Sequence, residues 1–188
     1  LMSICGNYMK QKGTLKKNTI VATVMSNLGM FLMGEREGIH IEKTKVGDRY
    51  VLENMLENGY NIGGEQSGHI IFLDENTTGD GLLSALHLLQ VMTETKKKLS
   101  ELASIMEVLP QALVNAKVPN HKKEHFEEYA EIAEAIAEVE AKFAGEGRVL
   151  IRPSGTEPLV RVMIEGKDQQ LIESEAQKLA ELISSIML

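Results

Sequence analysis

The run Thr19–Met25, Thr-Ile-Val-Ala-Thr-Val-Met, places an apolar or β-branched residue at every position, so a strand built from it has no polar side to turn to water. Such a strand needs cover on both faces, and the flanking pattern supplies it. Met2–Lys12 has helical spacing at Met2, Cys5 and Met9 and stops at Gly13; Ser26-Asn27 can cap a helix to about Glu37, where Gly38 ends it. Ile39–Lys43 reads as a second strand and Asp48–Asn58 as a helix closed by Gly59. Tyr60–Gly63 and His69–Leu73 are short strands around the loop Gly64–Gly68. Gly79-Asp80-Gly81 then leads into a long helix, Leu82–Lys97, with Leu82, Leu86, Leu89 and Met92 at helical spacing. This alternation predicts an α/β domain on a mixed, mostly parallel sheet.

After Lys98 the pattern changes. Ser100–Met106 reads as a short helix, Leu109–Val118 as a strand backed by the Pro119-Asn120 turn, His125–Phe143 as a helix and Asp168–Met187 as a closing amphipathic helix. Two alternating runs, Arg148–Ile151 and Leu159–Ile164, flank Arg-Pro-Ser-Gly-Thr-Glu-Pro (152–158) and read as a hairpin. The prediction is a smaller α+β domain on an antiparallel sheet, with the boundary near Glu107, giving domains 1–106 and 107–188.

In that hairpin Val149 and Ile151 face one way and Arg148 and Arg152 the other; Val160, Val162 and Ile164 share a face opposite Arg161 and Met163. One side suits a core and the other can present Arg152 and Arg161. Ser154 and Thr156 offer hydroxyls, and Gly155 lets successive N–H groups converge on an anion. A guanidinium adds a planar, permanent charge that matches phosphate oxygens. Pro, Ser and Gly are also ordinary turn residues, so it is the two arginines that tilt the reading to anion binding, with Glu157 as a brace.

The net charge of −7 argues against a general nucleic-acid binder, so any phosphate site must be local. One cysteine, Cys5, excludes an intrachain disulfide and fits a reducing compartment. No apolar run approaches the roughly 20 residues that span a membrane, and Leu1-Met2-Ser3-Ile4-Cys5 has no basic region of a signal peptide. The expectation is a cytoplasmic protein. The chain opens as if inside a helix, which predicts a fragment. His121 and His125, with Lys122 and Lys123 between them, lack a third metal ligand and read as a solvated helix start.

Gly63-Gly64-Glu65-Gln66-Ser67-Gly68-His69 is the second informative stretch. Its glycines make a tight, exposed loop on which a carboxylate and a hydroxyl at alternating positions can bind adjacent sugar hydroxyls. On its own a decorated turn would look the same, and His69 would pass for a structural histidine. Together with Arg152–Pro158, and with the flanks at 21–29, 46–51 and 78–81, this loop resembles the α-D-phosphohexomutase family over essentially the whole chain, as the third and fourth of its four domains. Gln66 is similar to the glucosamine-phosphate branch; the phosphomannomutase/phosphoglucomutase branch commonly carries Met there.

The resemblance implies that Glu65 and Ser67 hold sugar hydroxyls with His69 beside the sugar, and that Arg152, Ser154, Gly155 and Thr156 grip the non-transferring phosphate, assisted by Arg161. It implies interconversion of glucosamine 6-phosphate and glucosamine 1-phosphate through a phosphoserine enzyme and a 1,6-bisphosphate, on the route to UDP-N-acetylglucosamine and peptidoglycan. The family's phosphoserine loop and its three-aspartate magnesium loop have no match here; Asp48 and Asp80 are single carboxylates in glycine turns. No catalytic residue and no metal ligand is therefore assigned, and Mg2+ belongs to segments outside this chain. The implied partners are a phosphosugar and the preceding N-terminal domains, with a homodimer as a candidate assembly of the full-length enzyme and neither nucleic acid nor membrane. The alternatives are a fragment of a phosphomannomutase/phosphoglucomutase and a non-catalytic phosphosugar-binding module. An upstream extension of the reading frame would separate the enzyme from the module.

Overall fold

The computed structural model describes residues 1–143 and 145–188. The chain forms two compact units, Leu1–Val108 and Leu109–Leu188.

In the first unit, strands β1 (Thr19–Thr23), β2 (His40–Thr44), β3 (Ile62–Gly64) and β4 (Ile70–Phe72) form one sheet in the order β2-β1-β3-β4. β1 pairs in parallel with β2 and β3, and β4 returns antiparallel beside β3. All five residues of β1 are buried. Ile20 and Ala22 enter a core with α1 (Met2–Lys12), α2 (Leu28–Glu37) and α4 (Gly81–Thr95), while Val21 packs with Val51 and Met55 of α3 (Asp48–Asn58). The strand, fully buried, is thus covered on both faces, as its apolar and β-branched composition requires. The helix ends carry the expected stops: Gly13, Gly38 and Gly59 all adopt left-handed backbone at C-termini. Cys5 is 1% exposed, and burial pushes its thiol up to about 11, so it is an inert core residue. A short helix, α5 (Leu99–Ala103), completes the unit.

The second unit is built on three antiparallel strands, β5 (Gln111–Lys117), β6 (Arg148–Pro153) and β7 (Leu159–Glu165), in the order β5-β7-β6. Val160, Val162 and Ile164 are fully buried under α6 (Ala130–Phe143) and α7 (Gln169–Met187), with Val149 and Ile151 packed beside them. Arg148 does not stand free on the opposite face: its Nε donates to the buried Glu165 carboxylate. The predicted helix from His125 is corrected. A 3-10 segment, Lys123–Glu128, comes first, Tyr129 is extended, and the α-helix starts at Ala130. In a 3-10 helix residues i and i+3 eclipse, so Lys123 and Phe126, both buried, point inward together.

Glu175 lies within the apolar stripe of α7, 4% exposed, with Lys142 at 2.6 Å and Lys178 at 2.8 Å. Hydrogen bonds from these two ammonium groups, Lys142 first, hold its carboxyl below the usual range. A depressed folded-state pKa gives stability that is present above the ordinary carboxylate pKa and is lost as pH falls through the folded value. Glu175→Gln is therefore expected to cost this unit about 1–2 kcal/mol at pH 7. In paired melts the gap should close below roughly pH 4; a gap independent of pH would contradict the ion-pair role.

Candidate functional site

The loop Glu65–His69 leaves the carboxyl end of β3, the edge of a parallel sheet at which ligands commonly bind. Glu65 N–H donates to His69 O at 2.9 Å and Gly68 N–H to Glu65 O at 3.1 Å, closing a turn with Gln66 and Ser67 at its tip. Gly68 has φ +102°, which an L side chain rarely adopts. Glu65 is half-buried, and its Oε2 accepts the Gly47 N–H at 3.2 Å from the loop after β2. That bond leaves the rest of the carboxylate for another donor. Ser67 and His69 are exposed, with Ser67 Oγ 3.4 Å from His69 Nδ1. A cleft of about 240 Å³ adjoins this loop, lined by Ser26, Asn27, Met30, Glu65, Gln66 and Gly68 among others. The turn thus gathers Glu65, Ser67 and His69, a set of acceptors and donors suited to vicinal hydroxyls.

Register makes the hairpin loop specific. Arg152 on β6 and Arg161 on β7 are directly opposed, an arrangement that like charges disfavour. Burial, and then the neighbouring Arg161, hold Arg152 below the ordinary arginine range. Arg161 Nη2 reaches Glu157 Oε2 at 3.2 Å, but its buried Nε–H has no hydrogen-bond partner among the described residues. Two cations forced together, one with an orphaned donor, leave a place that an anion would satisfy. Gly155 and Thr156 are exposed at the loop tip. Ser154 is different: it is 2% exposed, its N–H donates to Leu159 O at 2.9 Å, and its Oγ accepts the Glu157 N–H at 3.2 Å. Its oxygen braces the turn, and only its O–H proton remains to be donated outward.

Sequence reasoning missed Lys123. Expected on a solvated helix start, it is 8% exposed, and its ammonium donates to Ser154 O and, at 3.2 Å, to Glu157 O. Nothing in the run His121-Lys122-Lys123-Glu124 distinguishes it from its neighbours; the buried Phe126 three residues on is the one local hint. His125 contacts Glu128 at 2.6 Å, and Lys122 caps Met187 O at 3.0 Å.

The two single carboxylates serve local structure. Asp80 Oδ1 accepts the Leu82 and Leu83 N–H groups at the start of α4, and Asp48 Oδ1 accepts Arg49 N–H. Among the described residues no three His, Cys, Asp or Glu side chains cluster as a metal cage. No described helix is long and apolar enough to cross a membrane.

The chain thus joins a mostly parallel α/β unit with a polar turn on its carboxyl edge to an α+β unit with an arginine-flanked loop. The family model for phosphoglucomutase/phosphomannomutase α/β/α domain III matches residues 1–109, and the C-terminal domain model of the same family matches 113–182. The chain belongs to this phosphohexomutase family. It is 62% identical over 183 residues to phosphoglucosamine mutase of Ruminiclostridium cellulolyticum, and 63% identical to that of Acetivibrio thermocellus. Each alignment covers 97% of this chain and 41% of the relative, so the chain spans about two fifths of the length of the curated relatives it matches, their C-terminal part. Among solved structures, an N-acetylglucosamine-phosphate mutase in its substrate complex superposes with a TM-score of 0.76 at 22% identity, over 97% of this chain and 43% of that one. Aspergillus fumigatus N-acetylphosphoglucosamine mutase with GlcNAc-6P and magnesium gives 0.77 at 17% identity, over 100% and 42%. At these identities the likeness is one of fold.

Proposed function

We propose that this chain is the sugar- and phosphate-recognition part of a phosphoglucosamine mutase, which interconverts glucosamine 6-phosphate and glucosamine 1-phosphate in the cytoplasm. The observation that carries the reading is the opposed pair Arg152 and Arg161, the latter with an Nε–H that no described residue partners; the identity to phosphoglucosamine mutases supports the choice of substrate. Arg152, Arg161, the Gly155 and Thr156 amides and hydroxyl, and the Ser154 proton grip the phosphate that is not being transferred. Glu65, Ser67 and His69 accept and donate to the sugar hydroxyls. Residues 1–106 and 107–188 act as separate recognition domains, one for each part of the substrate.

Holding phosphate and hydroxyls in fixed geometry is a large share of phosphoryl-transfer catalysis, because little covalent chemistry is left to the protein. A grip on phosphate and hydroxyls, with no contact that reads one end of the sugar, would also tolerate the two orientations of a 1,6-bisphosphate. The phosphoserine and the magnesium ligands are assigned to residues outside this chain, as is any homodimer contact.

The test is a coupled assay for glucosamine 1-phosphate, with glucosamine 6-phosphate, magnesium and a hexose 1,6-bisphosphate. The chain alone is expected to give no turnover. Joined to the N-terminal portion of the Ruminiclostridium cellulolyticum relative, it is expected to turn over, and Glu65→Ala in that chimera should raise KM for the sugar phosphate roughly tenfold. An inactive but folded chimera would count against the assignment.

A further inference from the structure

Lys123 is a buried cation that the reading above does not use. Its partners among the described residues are two backbone carbonyls, Ser154 O and Glu157 O, and no carboxylate pairs with it. Burying an ammonium against neutral acceptors is costly unless the arrangement serves something else. The two carbonyls belong to the two ends of the turn Ser154-Gly155-Thr156-Glu157, so one ammonium grips the loop from its inner side.

The geometry of a trans peptide says what that grip does. The C=O and N–H of one peptide unit point in opposite directions, and the described chain has no cis peptide. The Ser154 carbonyl is drawn down to Lys123, so the Gly155 N–H of the same peptide points away from it, out of the loop's exposed side. The Glu157 carbonyl belongs to the bond to Pro158, which has no N–H. Turning it under removes a negative dipole end from the exposed side without hiding a donor. Oriented amides of this kind form anion-binding concavities, and the flank of Gly155 is open: apart from its chain neighbours, no atom of the described residues lies within 4 Å of where a Cβ would stand.

We propose that Lys123 is a positioning residue of the phosphate loop: it holds the 154–155 peptide so that the Gly155 N–H faces the bound phosphate. This rests on the phosphate reading of the loop. The 3-10 segment at Lys123–Glu128 then has a purpose that an α-helical start would not serve, because its eclipsed spacing anchors Phe126 in the core and aims Lys123 at the loop together.

The test is a titration of the full chain with inorganic phosphate, by calorimetry and by the 15N–1H signal of Gly155 in glycine-labelled protein. Lys123→Met keeps the apolar stem and removes the ammonium. It is expected to weaken phosphate binding roughly tenfold and to leave the Gly155 signal insensitive to phosphate at saturation. A weakening under threefold overturns the proposal. So does a loss of affinity with an unchanged Gly155 response, which would make Lys123 a distant charge only. If Lys123→Met does not fold, Lys123→Gln, which keeps a donor for one carbonyl, takes the same titration with the same thresholds. Wild-type protein that binds no phosphate would overturn the loop assignment itself, and this proposal with it; wild-type binding with an indifferent Lys123 variant overturns this proposal alone.

Discussion

Arg152→Met is expected to weaken inorganic phosphate binding by this chain roughly tenfold or more, because it removes charge-assisted hydrogen bonds worth about 1.5–3 kcal/mol. Methionine keeps the apolar stem that arginine packs along the sheet. The same change takes away one of two like charges that β6 and β7 bring face to face. Thermal stability of the second unit should therefore hold or rise by about 0.2–1 kcal/mol. Binding and stability moving in opposite directions is the signature of a residue kept for its ligand. If Arg152 were only structural, both would fall together, and a calorimetric titration beside a thermal melt reads both.

Gly64→Ala is expected to destabilise the first unit strongly. A Cβ there would stand 2.4 Å from the His69 carbonyl oxygen and 3.0 Å from Ile70 Cα, both of them backbone. Backbone cannot rotate aside as a side-chain tip can, so β3 and β4 must separate. Their pairing sets the turn that holds Glu65, Ser67 and His69 together. The cost should be about 2–3 kcal/mol, lowering the melting temperature of this unit by roughly 10 °C or more. Phosphate affinity at Arg152–Pro158 should not change. A melting temperature within a degree or two of wild type would mean that the hairpin gives way far more easily than its contacts imply.

What could be read ahead of the structure depended on whether the signal was local. The two-sided burial of β1 follows from Thr19–Met25 because every residue is apolar or β-branched. The face that carries Arg152 and Arg161 follows from alternation on either side of a Pro-Ser-Gly turn. Their direct opposition does not, since register depends on how many residues the turn consumes. The tie from Gly47 to Glu65 spans 18 residues and joins loops that come together only once β2 and β3 both lie against β1. Lys123 was least legible of all. Its burial depends on a 3-10 segment that the Pro119-Asn120 turn precedes without distinguishing it from an α-helical start, and on a loop 31 residues away whose carbonyls it reaches. Ser154 was legible as a loop hydroxyl, but not as one already committed to the Glu157 amide.

The most direct measurement is a 1H–15N titration of this chain with glucosamine 6-phosphate, with inorganic phosphate as the reference ligand. Inorganic phosphate is expected to move the Ser154, Gly155 and Thr156 amides alone. Glucosamine 6-phosphate is expected to move those and, in addition, amides of Glu65–His69. Shifts that leave residues 152–161 untouched, or a chain that responds to neither ligand, would contradict the assignment of these loops to the phosphate and the sugar.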